Sequence, residues 1–165
     1  MFGPAIIWIA CAGVIVTQAI RCRRHRRALH TARLAFAVLY IVGGAAANTL
    51  FLLRGDDYAK FADASAVPFV RHTWHTLVVP NHAAWIMLLI LFELAVGLLA
   101  LLGGRETQFA YVAAIAFHVA LLSFGWGFLL WSLPMITSLA VLLSAERRAV
   151  SVTPPPRART FAPSR

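Results

Sequence analysis

The sequence predicts an all-α protein, a transmembrane helical bundle of five spans. Of its 165 residues, 61% are hydrophobic and only 13% are charged, whereas a soluble domain carries about a quarter charged residues. The apolar residues are gathered into runs long enough to cross the hydrocarbon core of a bilayer, which takes about 20 helical residues. Both observations indicate an integral membrane protein.

Three spans follow from nearly uninterrupted apolar runs, which are Phe2–Ile20, Leu34–Leu53 and Ala83–Leu102. The first run predicts an N-terminal helix over residues 1–20. It is not typical of a cleavable signal peptide, because its positive charges follow the apolar stretch instead of preceding it. Those charges form a basic loop over residues 21–33.

The segment from Thr107 to Ala145 contains no Asp, Glu, Lys or Arg in 39 residues, and one helix of that length is nearly twice too long for a span. Residues Ser123–Gly127, with two glycines, offer a turn between two short spans. A single long tilted helix is the alternative. If this segment forms two spans, the arginine-rich tail lies on the same side of the membrane as the basic loop, as the positive-inside rule favours. Together with the first three runs, this gives five expected spans.

The charge distribution also predicts the orientation and the partners. The N terminus is expected outside, with residues 21–33 and a disordered, proline-containing tail over residues 146–165 in the cytosol. Basic clusters beside spans bind anionic headgroups, so membrane lipids are expected partners. Nucleic acid is not expected, since no recognition motif accompanies the charge. The excess of arginine over lysine, with abundant alanine, is typical of some bacterial proteins and suggests a bacterial cytoplasmic membrane.

The outer loop over residues 54–81 contains an amphipathic pattern after Pro68, which predicts a helix lying in the membrane interface. Its polar face carries Arg71, His72 and His75. The two histidines have the spacing of a metal-binding pair. However, Arg71 would repel a cation and interfacial histidines are common, so no metal is assigned.

Two ionisable residues lie deep within apolar runs. Glu93 is the only Asp, Glu, Lys or Arg in the third span, and His118 is the only His, Asp, Glu, Lys or Arg in the run that follows. They are almost equidistant from the centre of the predicted turn Gly103–Glu106. An antiparallel hairpin therefore brings them to the same depth, where we expect them to touch.

Other residues complete this candidate site. Tyr40 lies near mid-depth in the second span and is a possible third member. Gly97 lies one turn from Glu93 and permits close helix approach. Asn48, near the outer end of the second span, is expected to bond to a neighbouring helix.

The Glu93–His118 pair has a functional and a structural interpretation. A carboxylate in hydrocarbon is costly and by default marks a functional or assembly site. The pair could pass protons or hydrogen-bond the carbonyl of a quinone-like molecule. Alternatively, it is an interhelical hydrogen bond worth about 1 kcal/mol or less. No catalytic residue is assigned, since the sequence has no phosphate loop, H-E-x-x-H motif or nucleophile elbow.

Residues 33–148 resemble the DoxX family of small bacterial membrane proteins. An arginine, Arg33, opens a glycine-containing span, and an outer amphipathic segment follows. The stretch Phe92–Gly104 then matches the family's Glu-x-x-x-Gly pattern, with a leucine-rich end and a terminal glycine. The resemblance implies a four-helix core over residues 34–145, to which residues 1–20 are an addition. The glutamate and the glycine of the family's Glu-x-x-x-Gly pattern correspond to Glu93 and Gly97 in this sequence.

DoxX family members include a subunit of a thiosulfate:quinone oxidoreductase and partners in membrane redox complexes. The resemblance therefore implies a membrane subunit that supports redox or lipid-linked chemistry with redox-enzyme subunits as partners. The small residues Gly43–Ala47 of the second span also allow contact with a second copy of the chain. We expect a hydrophobic quinone-like or isoprenoid-like molecule to bind near Glu93 and His118; no other cofactor is predicted. The alternatives are a non-catalytic scaffold or assembly factor, and a lipid-acting enzyme that transfers a proton between the two residues.

Overall fold

Five long helices account for most of the chain. The computed structural model describes residues 3–22 and 25–151, and these two ranges contain no β-strand. In chain order the helices are α1 (Gly3–Arg21), α2 (residues 26–53), α3 (Pro68–Leu102), α4 (Gly104–Phe124) and α5 (Trp126–Ser151). Helices α2 to α5 are long and apolar enough to cross a membrane, whereas the apolar part of α1, Ile6–Arg21, is shorter. The predicted all-α bundle is confirmed.

The helices close into a ring. Each packs against the next one along the chain, and α1 also packs against α5. The N-terminal helix is therefore one wall of the bundle. We call the end that holds residues 54–67 and the α4–α5 turn the loop end, and the opposite end, where α2 begins and α5 ends, the arginine end. Most of the packed core, including Ile15, Phe36, Tyr111 and Leu142, lies toward the arginine end.

Glycine makes both tight turns between the long apolar helices. Gly103 separates α3 from α4 with φ of +84°, and Gly125 separates α4 from α5 with φ of +120°. Residues with a side chain rarely adopt this left-handed region, so glycine is favoured there. The break at Gly125 confirms the predicted turn within Ser123–Gly127 and excludes a single helix through this segment.

Two helices contain wider, π-helical turns at the loop half of the bundle. Residues Leu39–Ala46 of α2 and Trp74–Val78 of α3 have this geometry. Such turns are rare and are found frequently at functional sites. The helix predicted after Pro68 is present, with the proline in its first turn. It is not a separate interfacial helix, however, because it runs directly into the third span as one helix, Pro68–Leu102.

The arginine end contains a buried ion pair that contradicts two predicted boundaries. Arg33 donates to Glu146 through Nε (2.7 Å to Oε1) and Nη2 (2.5 Å to Oε2), and Glu146 is fully buried. Arg33 lies within α2, which begins at Arg26, so most of the described part of the predicted loop 21–33 is helical. Glu146 lies in α5, which continues to Ser151, so the predicted disordered tail begins too early. The rest of that tail, residues 152–165, lies outside the described residues.

Candidate functional site

A cavity of about 610 Å³ occupies the loop half of the bundle. All five helices and the loop after α2 contribute to its wall. Most lining residues are apolar or aromatic, and four are tryptophans: Trp8, Trp74, Trp85 and Trp131. A volume in this range is typical of sites that enclose a small organic molecule. The polar side chains in the lining are few, and they include Glu93, His118 and Tyr40.

Glu93 enters this wall from the C-terminal third of α3 and is 6% exposed. Its Oε2 accepts a hydrogen bond from Nδ2 of Asn48 on α2, at 2.9 Å. The expected bond from Asn48 to a neighbouring helix is therefore confirmed. The carboxylate also lies directly against Gly44, where an added Cβ would be 2.5 Å from Oε1. Because Gly44 has no side chain, α2 leaves room for the acid.

Tyr58 extends this network to the loop. Its hydroxyl lies 3.2 Å from both Oδ1 and the carbonyl oxygen of Asn48, and its own carbonyl accepts a bond from Nε1 of Trp74 at 2.9 Å. Partial burial, with smaller contributions from Asp56 and Glu93, raises the pKa of Tyr58 to about 12. The hydroxyl therefore stays protonated near neutral pH and remains a donor to Asn48.

The backbone of Tyr58 is strained. It is the one residue other than glycine with positive φ (+56°) in the part of the chain that the structure describes. Such conformations cost about 1–3 kcal/mol and cluster at functional sites. The bonds to Asn48 and Trp74 hold this conformation in place. No sequence pattern singles out Tyr58, because it lies in a short loop without periodicity.

His118 is 3% exposed and approaches the cavity from α4. Its Nδ1 lies 3.3 Å from Oγ of Ser132 on α5, and its Nε2 has no hydrogen-bond partner among the described residues. Ser132 is fully buried. If its hydroxyl donates to Nδ1, the proton of the neutral imidazole lies on Nε2, and if Nδ1 donates to Oγ, Nε2 is an acceptor. In both tautomers Nε2 is a buried polar atom without a partner among the described residues.

Three side chains among the described residues have a buried polar atom without a partner, and they are His118, Tyr40 and Tyr111, the last of which does not line the cavity. The ring of Tyr40 stacks on Phe36 with centroids 4.5 Å apart, and its hydroxyl makes no hydrogen bond within the described ranges. A buried polar group left unsatisfied costs about 1–3 kcal/mol. The wall of one apolar cavity therefore includes two side chains, Tyr40 and His118, that each carry a buried polar atom without a hydrogen-bond partner.

The predicted contact between Glu93 and His118 is wrong, although both residues line the same cavity. Each bonds to a different partner, Asn48 and Ser132 respectively. The cause is the turn, because Gly103 alone breaks the helix and α4 begins at Gly104. His118 is then fifteen residues from the turn and Glu93 ten, an offset of about 7.5 Å along the helix axis. The sequence argument placed the turn centre further along the chain.

Gly97 does not line the cavity. A Cβ there would lie 2.6 Å from Cγ1 of Ile41 on α2, so the glycine permits close packing of α2 and α3. The prediction of close helix approach is confirmed, but this residue is a packing position and does not contact the cavity.

The loop end of the cavity is covered by aromatic rings. Phe61 from the loop packs between Trp74 of α3 and Phe128 of α5, with centroids 5.0 Å and 4.9 Å away. Phe124 packs edge-on against both Phe61 and Trp74. The loop is anchored where Oγ of Ser65 donates to the carbonyl oxygen of Ser123 at 2.5 Å.

The predicted polar face of the outer segment points away from the cavity. Arg71, His72 and His75 are exposed, and Nε2 of His75 lies 3.2 Å from Oδ1 of Asp63. Within residues 3–22 and 25–151 no group of three His, Cys, Asp or Glu could hold a metal ion. This face therefore does not contribute to the cavity.

A closed ring of long apolar helices defines a multi-pass helical membrane protein. Comparisons with known proteins do not narrow this class: no protein-family model, curated protein or solved structure matches the chain.

Proposed function

We propose that this protein binds a hydrophobic, quinone-like or isoprenoid-like molecule in the cavity and serves as a membrane subunit in redox or lipid-linked chemistry. The observation that supports this most directly is a pair of buried polar atoms without partners, Nε2 of His118 and the hydroxyl of Tyr40, in residues that line one apolar cavity. With the imidazole proton on Nε2 both atoms are donors, and a ligand with a hydrogen-bond acceptor would satisfy them once side chains in the cavity wall shift, because both atoms are fully buried in this structure. Of the two ligand types, a quinone-like head with its carbonyl oxygens fits these donors better.

The acid in the cavity gives a second polar anchor. Asn48 donates a hydrogen bond to Oε2 of Glu93. The carboxylate can accept further hydrogen bonds from a hydroxyl on the ligand. Direct proton transfer between Glu93 and His118 is not favoured, since each residue has its own partner. The proposal therefore treats these residues as binding groups and does not include catalysis by this chain alone.

The DoxX-like assignment belongs to the same proposal. It entails a bacterial cytoplasmic membrane, an outer N terminus, a cytosolic C terminus and redox-enzyme partners. A reporter fused to the C terminus tests the orientation, and activity of the reporter outside the cytosol would contradict it.

Tryptophan fluorescence tests the binding proposal, because four of the five tryptophans line the cavity. A short-chain quinone should quench the emission of the purified protein saturably. His118→Leu removes one donor and should weaken binding about tenfold, the equivalent of one buried hydrogen bond. His30→Leu makes the same chemical change at an exposed position of α2 and should leave binding unchanged.

A scaffold without a ligand predicts a different result. Quenching would then be unsaturable in the wild type, and His118→Leu would behave as His30→Leu does. The thermal unfolding temperature of each variant in the same detergent separates a lost contact from a lost fold.

A further inference from the structure

The residues that line the cavity include Gly127, in the first turn of α5. Gly127 is itself exposed. A Cβ built at this residue would have nothing within 4 Å. Gly43 and Gly44, which also line the cavity, differ in this respect, because a Cβ at either would meet a neighbouring side chain at 2.7 Å or less.

Gly127 lies at the boundary between the inner and outer faces of α5. Phe128 and Trp131 face the cavity, whereas Trp126 and Leu130 are 78% and 71% exposed. These two large apolar side chains are on the surface of a helix that is apolar enough to span a membrane. An opening at Gly127 therefore leads sideways toward the lipid.

Aromatic rings cover the loop end of the cavity. The rings are those of Phe61, Trp74 and Phe124. The loop is held down by Ser65, and its Ala64 packs so tightly on Gly125 that an added Cβ there would lie 2.6 Å from the Ala64 carbonyl oxygen. Entry of a solute from water would require this covering to move.

We propose that Gly127 forms a lateral opening through which the apolar tail of the bound molecule passes from the cavity into the surrounding lipid. The ligand is then a long-tailed lipophile taken up from the membrane, not a small solute taken up from water. A cavity of about 610 Å³ accommodates a ring-sized head, and a long tail must lie outside it. This inference rests on the proposed function, because it concerns the same cavity.

The experiment compares two substitutions and two probes. Gly127→Leu fills the opening without a clash at its Cβ. Gly13→Leu is the matched control, since Gly13 is also exposed and helical, has nothing within 4 Å of its Cβ position and does not line the cavity. The probes are one benzoquinone ring with a long alkyl tail and the same ring without it. Tryptophan quenching reports binding of both.

We expect Gly127→Leu to weaken binding of the tailed probe about tenfold, which corresponds to displacing about two methylene groups from the passage. Binding of the tail-less probe should stay within about twofold of the wild type, and Gly13→Leu should leave both affinities unchanged. Equal binding of the tailed probe by Gly127→Leu and the wild type overturns the opening. So does an equal loss of both probes.

A different quenching result would show that the proposed function itself, ligand binding in the cavity, is wrong. If neither probe quenches the wild type saturably, the cavity does not bind such ligands, and the lateral opening is overturned together with its premise. If the wild type binds both probes, only the comparison between Gly127→Leu and Gly13→Leu decides the inference.

Discussion

The Gly44→Ala variant tests whether Glu93 binds the ligand or only packs between α2 and α3. The new methyl group would lie 2.5 Å from Oε1 and 2.6 Å from Cδ of Glu93, so the carboxylate must move. Overpacking costs about 1–3 kcal/mol, at the lower end when a flexible side chain can yield. Loss of the hydrogen bond to Asn48 adds about 0.6 kcal/mol. The better helix propensity of alanine returns about 1 kcal/mol, which leaves a net destabilisation of about 0.6 kcal/mol when the side chain of Glu93 yields.

Gly97→Ala is the matched control for this substitution. Its methyl group would lie 2.6 Å from Cγ1 of Ile41 and 3.5 Å from the carbonyl oxygen of Ala37, outside the cavity. Both variants add one methyl group between α2 and α3 at a similar clash distance, so we expect similar losses of thermal stability in mild detergent.

The two variants should differ in ligand binding. Gly44→Ala moves the acid of the cavity and should lower the affinity for a quinone probe by about threefold to tenfold, measured by tryptophan quenching. Gly97→Ala should retain the affinity of the wild type. Unchanged binding by Gly44→Ala, or an equal loss in both variants, would refute the role of Glu93 as a binding group.

Three further predictions concern other parts of the bundle. Arg33→Ala leaves the buried carboxylate of Glu146 unpaired and should cost about 3–5 kcal/mol of stability. Replacing Arg33 by Met and Glu146 by Leu together should cost far less, because no buried charge remains. Unfolding in detergent measures both variants, and equal losses of stability would contradict the ion-pair argument. Gly125→Ala strains the turn and collides with Ala64, so amide exchange in residues 54–67 should speed up while that of α4 stays slow; unchanged loop exchange would show that the contact does not anchor the loop. Tyr40→Phe removes a donor that has no protein partner, so the free protein should be as stable as the wild type or more so, while quinone affinity falls several-fold; an unstable variant with normal affinity would show that the hydroxyl has a structural role.

Much of the fold was predictable because long apolar runs have few alternatives in a membrane. The glycine-containing turn at Gly125 was predicted from the length of the segment, its two glycines and the charge of the tail that follows it. The burial of Glu93 and His118 was also predicted, since each is isolated in an apolar run. Their partners were not, because a shift of the turn to Gly103 changes which residues are level with each other. Sequence spacing alone does not determine that shift.

Other features of the site have no signal in a single sequence. Arg33 lies at the start of an apolar run and Glu146 just after the end of another, beside Arg147, where charges normally belong to loops, so nothing indicated that they pair across 113 positions. Tyr58 is one residue of a short polar loop, and its role depends on the carbonyl of Asn48 being within reach.

The most direct test of ligand binding is mass spectrometry of small molecules that stay bound when the protein is purified in mild detergent. We expect the wild type to retain a long-tailed apolar molecule with a carbonyl-bearing head. The Tyr40→Phe/His118→Leu double variant should retain at least about tenfold less of it, because both unsatisfied donors are gone. Recovery of bulk phospholipid alone from both proteins, in equal amounts, would contradict the account.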